Sequence, residues 1–346
     1  MNQSKLTAII YTLLHFLVDF TTVFLVVGIL LGPSVGVVQR GYVIIIYNLL
    51  AFAGQLPIGM ISDVINKNRQ LTALGCALAC ASYPVAFVSP WIACVMAALG
   101  NGAFHIGAGS DILKMSMPKS GLSGVFVSSG ALGVWLAYKA SGTLFTFLCP
   151  IVMIVSIVIL LLNKDIKGET IRIRYQKPRF VVLTAIICFV LTIVIRSFLG
   201  MIMDFSWKAV PVFSLMFVVA VMAGKALGGY LGDRFGYIKT AVISLSVSLV
   251  AFIFAFDSPV AGIIGVLCFN ITMPLTLTAI AGVCNKKYGF AFGLTTFALA
   301  VGFLPVVFGA GIGAGIPLFV CMVFVSLALI VSGYVLLKNK SEAGGI

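Results

Sequence analysis

The sequence predicts an all-α membrane protein: twelve transmembrane helices in two pseudo-symmetric six-helix halves, with both termini cytoplasmic. Three observations lead there. Of 346 residues, 61% are hydrophobic and 9% charged, with a mean hydropathy of +1.19. That leaves too little polar surface to cover a soluble core of this size. The apolar residues also gather in runs of about 20, the length that crosses a bilayer as a helix. Finally, the stretch GKALGGYLGDRFGYIK, Gly224 to Lys239, has an earlier counterpart in GQLPIGMISDVINKNR, Gly54 to Arg69. Gly54 and Gly224, Gly59 and Gly229, and Asp63 and Asp233 are each 170 residues apart, and Arg69 falls opposite Lys239. A helix-loop-helix corner repeated half a chain away points to a duplicated membrane protein.

The first expected span, 6–30, carries His15 and Asp19, four apart and so on one face. The second, 42–61, runs into the first glycine corner. The third, 71–88, holds Cys76 and Cys80, and the fourth, 91–110, holds Asn101 and His105, again four apart. The fifth, 122–141, is rich in glycine, with Gly121, Gly124, Gly130, Gly133 and Gly142 in and around it. The sixth, 143–163, ends at a polar segment, and the seventh, 180–199, follows it. The eighth, 209–231, runs into the second corner, and the ninth is 240–256. The tenth, 260–283, contains Pro274, which frees a backbone carbonyl as cavity-lining breaks in transporters do. The eleventh, 288–307, follows Lys286 and Lys287, and the twelfth is 311–337.

Charge sets the orientation. With the N-terminus cytoplasmic, the inside segments hold 17 Lys and Arg and the outside loops only Arg40 and Lys208, a strong positive-inside bias. The net charge of +13 therefore reports short cytoplasmic loops. A nucleic-acid partner is not expected, because the cations do not share one basic face. The first apolar run is too long for a signal core and lacks a small-residue cleavage site. The eight cysteines lie mostly within apolar runs and read as packing residues. The basic segment 164–179 divides the chain into an N-terminal half, 1–163, and a C-terminal half, 180–346, as a cytoplasmic tether.

With the corners after spans 2 and 8, this plan resembles the major facilitator superfamily, whose corner motif reads Gly-x-x-x-Asp-Arg/Lys-x-Gly-Arg-Arg. Gly59 and Asp63 match it in the first half; Gly229, Asp233, Arg234 and Gly236 match it in the second. The first copy departs from it, with Val64 for the basic residue and Asn66 for the glycine. Asn tolerates the left-handed turn better than other residues with a Cβ. Gly54, Gly59, Asp63, Gly224, Lys225, Gly229, Asp233, Arg234 and Gly236 are the expected gate. Its carboxylates would accept hydrogen bonds from the start of a neighbouring helix. A narrower resemblance, to the fosmidomycin-resistance exporter branch, rests on HFLVD of span 1 and on Phe104-His105 within GNGAFHIGAGSDILKM. Ile106 stands there in place of that branch's proline.

Ionisable groups within spans are costly and mark function by default. Spans 1 and 4 run in opposite directions, which puts His15 and His105 at similar depth. In the superfamily both spans line the central cavity. Asp19, His15 and His105 are the expected proton-coupling residues. Asn101, Trp135, Lys139, Arg196 and Asn270 are the expected solute-binding residues, with Lys139 and Arg196 as cations for an anion. No metal site and no cofactor is expected. The expected function is secondary transport of a small organic solute, anionic or amphiphilic, by alternating access, as proton-coupled efflux from the inner (plasma) membrane by a monomer. An importer or uniporter of a metabolite is the alternative. An intramembrane enzyme or lipid-handling protein is the remote one, with His15, Asp19 and His105 the nearest thing to its catalytic or metal set, and the duplicated corner, which has no use in an enzyme, argues against it.

Overall fold

A computed structural model describes residues 3–32, 36–140, 150–158, 177–309 and 315–338. Among them every regular element is a helix. In chain order these are α1 (Gln3–Phe24), α2 (Val37–Asn48), α3 (Gln55–Ile65), α4 (Asn68–Ala86), α5 (Pro90–Ser116), α6 (Gly121–Lys139) and α7 (150–158). The second half of the chain holds α8 (Arg179–Ile202), α9 (Pro211–Phe235), α10 (Tyr237–Ile253), α11 (Pro259–Asn270), α12 (Thr272–Val283), α13 (Tyr288–Val307) and α14 (Ile316–Leu337). Wider π turns at Leu25–Leu30 and Leu49–Ala53 extend α1 and join α2 to α3. Nine rods are long and apolar enough to cross a membrane, among the described residues. Of the other expected spans, α4 opens on Asn68, Arg69 and Gln70, α10 has 17 residues, and span 6 is described only as α7. The expected tether at 164–179 lies outside the described residues but for its last three positions.

Observed helices overrun their expected ends at the polar corners. The apolar run of span 4 was expected to stop at 110, yet α5 continues to Ser116; likewise α3 reaches Ile65 and α9 reaches Phe235. Hydropathy marks the apolar stretch, whereas backbone hydrogen bonding continues until a residue leaves the helical region. Those exits are Asn66 (φ 53°, ψ 39°) after α3 and Gly236 (φ 88°) after α9, 170 residues apart. The left-handed turn expected of Asn66 is present. Span 10 breaks where Pro274 was expected to weaken it: α11 stops at Asn270 and α12 starts at Thr272, because proline has no N–H for the preceding turn. Ser258 caps α11 by accepting from Ala261 N, with Pro259 at the first helical position, the residues that start helices best.

The described chain forms two compact units. The first comprises Met1–Met115, Phe126–Glu169 and Lys287–Phe297; the second comprises Ser116–Val125, Thr170–Lys286 and Ala298–Ile346. A core of small and aliphatic residues in the first unit includes Leu25, Val26, Val43, Tyr47, Ala51, Ala93, Cys94 and Ala97. In the second unit, an aromatic core gathers Phe205, Trp207, Phe252, Phe256 and Phe319. The Trp207 ring stacks on Phe205 and its Nε1–H donates to Ala255 O at 2.8 Å, so the indole finds its polar partner inside. Trp91, by contrast, is exposed. The described cysteines are all free, and Cys76 and Cys94 are fully buried.

Candidate functional site

The first unit places His15 and Asp19 of α1 against Asn101 and His105 of α5, the four residues that the paired spacings single out. His15 Nε2 lies 3.3 Å from Asp19 Oδ2, and His105 Nε2 lies 3.6 Å from Asp19 Oδ1. The two Nε2 atoms stand 2.9 Å apart. Asn101 Nδ2 donates to Asp19 Oδ1 at 3.0 Å and to Thr22 Oγ1 at 3.2 Å, and Tyr47 OH donates to the same Thr22 oxygen at 2.8 Å. His15, Asn101 and His105 are buried. A polar set of this size inside apolar helices is stable only when its donors and acceptors are matched.

The matching fixes where the hydrogens are. His15 Nδ1 lies 2.6 Å from Phe126 O of α6, and His105 Nδ1 lies 2.8 Å from Asn101 O. A carbonyl oxygen only accepts, so each Nδ1 carries a hydrogen. Both Nε2 atoms would then present lone pairs to each other at 2.9 Å, which is repulsive unless one proton sits between them. With that proton the pair carries a single positive charge, and the Asp19 carboxylate beside both nitrogens balances it. The ligating atoms of His15, Asp19 and His105 lie within 4.8 Å of one another, a donor set that can hold a cation. A tetrahedral metal ion with bonds of about 2.05 Å would hold two nitrogens about 3.3 Å apart. The observed 2.9 Å is a hydrogen-bond distance and suits a proton better.

Gly130 of α6 makes room for this cluster: a Cβ there would overlap Asp19 Oδ2 and His15 Nε2. One helical turn away, a Cβ at Gly133 would overlap the Phe16 carbonyl of α1. The glycines of span 5 were visible in the sequence, but which of them faces the imidazoles was not.

Both corners close on a helix start, as expected of their carboxylates. In the first unit Asp63 accepts from Gly289 N and Phe290 N of α13, each at 2.8 Å. In the second unit Asp233 accepts from Ser120 N at 2.7 Å, Gly121 N at 2.8 Å and Ser120 Oγ at 3.0 Å, at the start of α6. Tyr237 OH adds a further bond to Asp233 at 3.0 Å. Such charge-assisted bonds to free N–H groups at a helix start are also favoured by the helix dipole. Glycine permits the approach: a Cβ at Gly59 would overlap the Gly289 carbonyl, and one at Gly229 the Ser120 carbonyl. Gly224 is likewise set against the Leu267 carbonyl, whereas Gly54 lies at the end of the π turn before α3. A second network was not foreseen. Ser62 donates to Asn68, Asn68 to Asp111 and Tyr11 to Asp111, at 2.9, 2.8 and 2.8 Å. The hydrogen bonds to Asp111 come from Asn68 and Tyr11, whose donors reach it from other helices.

The remaining expected residues are dispersed. Arg234 lies over the Phe235 ring, 5.5 Å from its centre, and is exposed. Lys225 is half-buried on α9. In the first unit, Trp135 is half-buried on α6 and Lys139 is exposed in that helix's last turn. Asn270 ends α11, donating Nδ2 to Val266 O at 2.9 Å. Arg196 is buried within the second unit.

The sequence matches no protein-family model and no curated protein. Solved structures do match in fold. The E. coli fucose:proton symporter FucP has a TM-score of 0.64 at 16% identity, over 96% of this chain and 98% of that one. The human organic anion transporter MFSD10 (TETRAN) gives 0.70 at 14% identity, over 98% of this chain and 100% of that one. A bacterial homologue of the iron transporter ferroportin, in an outward-facing state, gives 0.59 at 17% identity, over 97% and 98%.

Proposed function

On the major facilitator fold that these likenesses show, we propose that the chain is a secondary active transporter. It moves a small organic solute, anionic or amphiphilic, across the inner (plasma) membrane by alternating access, and proton movement drives it as an exporter. The observation that carries this reading is the His15–Asp19–His105 cluster. It is a balanced set of ionisable groups inside two membrane-length helices, with one place for one proton. Groups of this kind are expensive within a bilayer and recur where protons are passed. Solved examples of the fold include a fucose:proton symporter and an organic anion transporter, and the energy source here needs no cofactor.

In this reading the twelve spans form halves 1–163 and 180–346, joined by the cytoplasmic segment 164–179, with both termini on the cytoplasmic side. The positive-inside bias supports that orientation. Asp63 and Asp233 fasten the cytoplasmic corners, with Gly54, Gly59, Gly224, Lys225, Gly229, Arg234 and Gly236 shaping the gate. Asn101 steadies Asp19, while Trp135, Lys139, Arg196 and Asn270 contribute to the solute path of a monomer. Loading of the Nε2 pair with a proton neutralises Asp19; its departure leaves an unbalanced carboxylate that favours the other conformation.

Asp19→Asn tests the assignment. It removes the charge that balances the proton while keeping the side chain's shape. Accumulation of solute driven by a pH gradient is expected to fall at least tenfold, with solute counterflow retained. Gradient-driven accumulation at the wild-type level in Asp19→Asn would sink the coupling role.

A further inference from the structure

We infer that Arg196 binds an oxyanion group of the solute, a carboxylate or a phosphonate, through the two parallel donors of its guanidinium. This rests on the transport reading above and deepens it by assigning the charged end of the solute to one residue of the second unit.

Arg196 sits on α8, 17 residues beyond Arg179 and six before the helix ends at Ile202. It is 7% exposed, which separates it from a snorkelling cation whose head reaches water at the interface. Among the described residues its one hydrogen bond is from Nη1 to Thr276 Oγ1 of α12, and at 3.4 Å that bond is long. The Thr276 hydroxyl is already engaged with Thr272 O and Met273 O. The neighbouring Thr192 hydroxyl bonds Cys188 O. Each hydroxyl spends its hydrogen on a carbonyl, so what it can offer the cation is a lone pair and no charge.

No carboxylate lies within 4 Å of the guanidinium among the described residues. The other guanidinium nitrogens have no hydrogen-bond partner among the described residues. A buried charge of this kind is strongly unfavourable unless an anion joins it. A planar fork with free parallel donors matches a carboxylate or a phosphonate in two bonds, which a lysine ammonium cannot reproduce. In the first unit, by contrast, the imidazole pair and Asp19 balance one another.

The test is thermal unfolding of the purified full-length protein in detergent. Probes are acetate, benzoate and methylphosphonate, with neutral benzamide as control, each at millimolar concentration. Without added organic anion, Arg196→Met is expected to melt at or above the wild-type temperature, because it removes an unbalanced charge. At least one oxyanion is expected to raise the wild-type melting temperature by several degrees, benzamide to leave it unchanged, and Arg196→Met to lose the response. Arg196→Lys keeps the charge without the fork, and its affinity is expected to be at least tenfold weaker. A lower melting temperature for Arg196→Met would show a structural bond and overturn the inference. So would the failure of every oxyanion to stabilise wild type over Arg196→Met. Anion binding that persists in a protein showing no solute flux would leave this site standing and fail the transport reading.

Discussion

Gly130 shows how closely the cluster chemistry depends on a residue with no functional group. Its Cα faces the junction of Asp19 Oδ2 and His15 Nε2, and any Cβ would occupy their space. Gly130→Ala would ordinarily favour a helix interior. Here it has to push α1 from α6 or separate the imidazole from the carboxylate. Overpacking of this kind typically costs about 1–3 kcal/mol. The expected result is at least a tenfold loss of proton-driven transport, with a melting temperature lowered by a few degrees. Gly133→Ala is the control: it strains the same helix contact, against the Phe16 carbonyl, without touching the cluster. Coupling lost equally in both variants would show that helix spacing, rather than cluster geometry, is the sensitive quantity.

At the scale of the element, the two corners are alike in plan and unequal in strength. Asp63 takes two backbone N–H bonds, whereas Asp233 takes two of these plus the Ser120 and Tyr237 hydroxyls. Hydrogen bonds to a charged group contribute roughly 1.5–3 kcal/mol each. Asp233→Asn is therefore expected to loosen the start of α6 more than Asp63→Asn loosens the start of α13. Amide hydrogen exchange at Ser120 and Gly121, compared with Gly289 and Phe290, reads this directly. Both variants should slow cycling and leave solute affinity within about twofold. Faster exchange at the α13 start in Asp63→Asn than at the α6 start in Asp233→Asn would reverse the ranking. The sequence showed the acceptors of these bonds but not their donors. Asp63 and Asp233 stand out because a motif repeats, while Gly289, Phe290, Ser120 and Gly121 give only backbone N–H groups that any residue but proline supplies.

For the whole molecule, hydropathy located the helices because the bilayer imposes length and apolarity on each span. It marked their polar ends less well, since α5 and α9 stay helical past their apolar runs. The His15, Asp19, Asn101 and His105 cluster was legible from two pairs spaced four apart on oppositely directed helices. Gly130 and the Phe126 carbonyl were not, because a third helix brings them in through tertiary packing.

The central claim is that one proton moves through this cluster as solute moves. It is tested most directly by proton flux in proteoliposomes holding the purified protein and an internal pH-sensitive dye, challenged with a panel of small organic anions. The expected result is solute-evoked proton movement, opposite in direction to the solute, that disappears in Asp19→Asn. Solute exchange without any proton movement, or proton movement undiminished in Asp19→Asn, would contradict it.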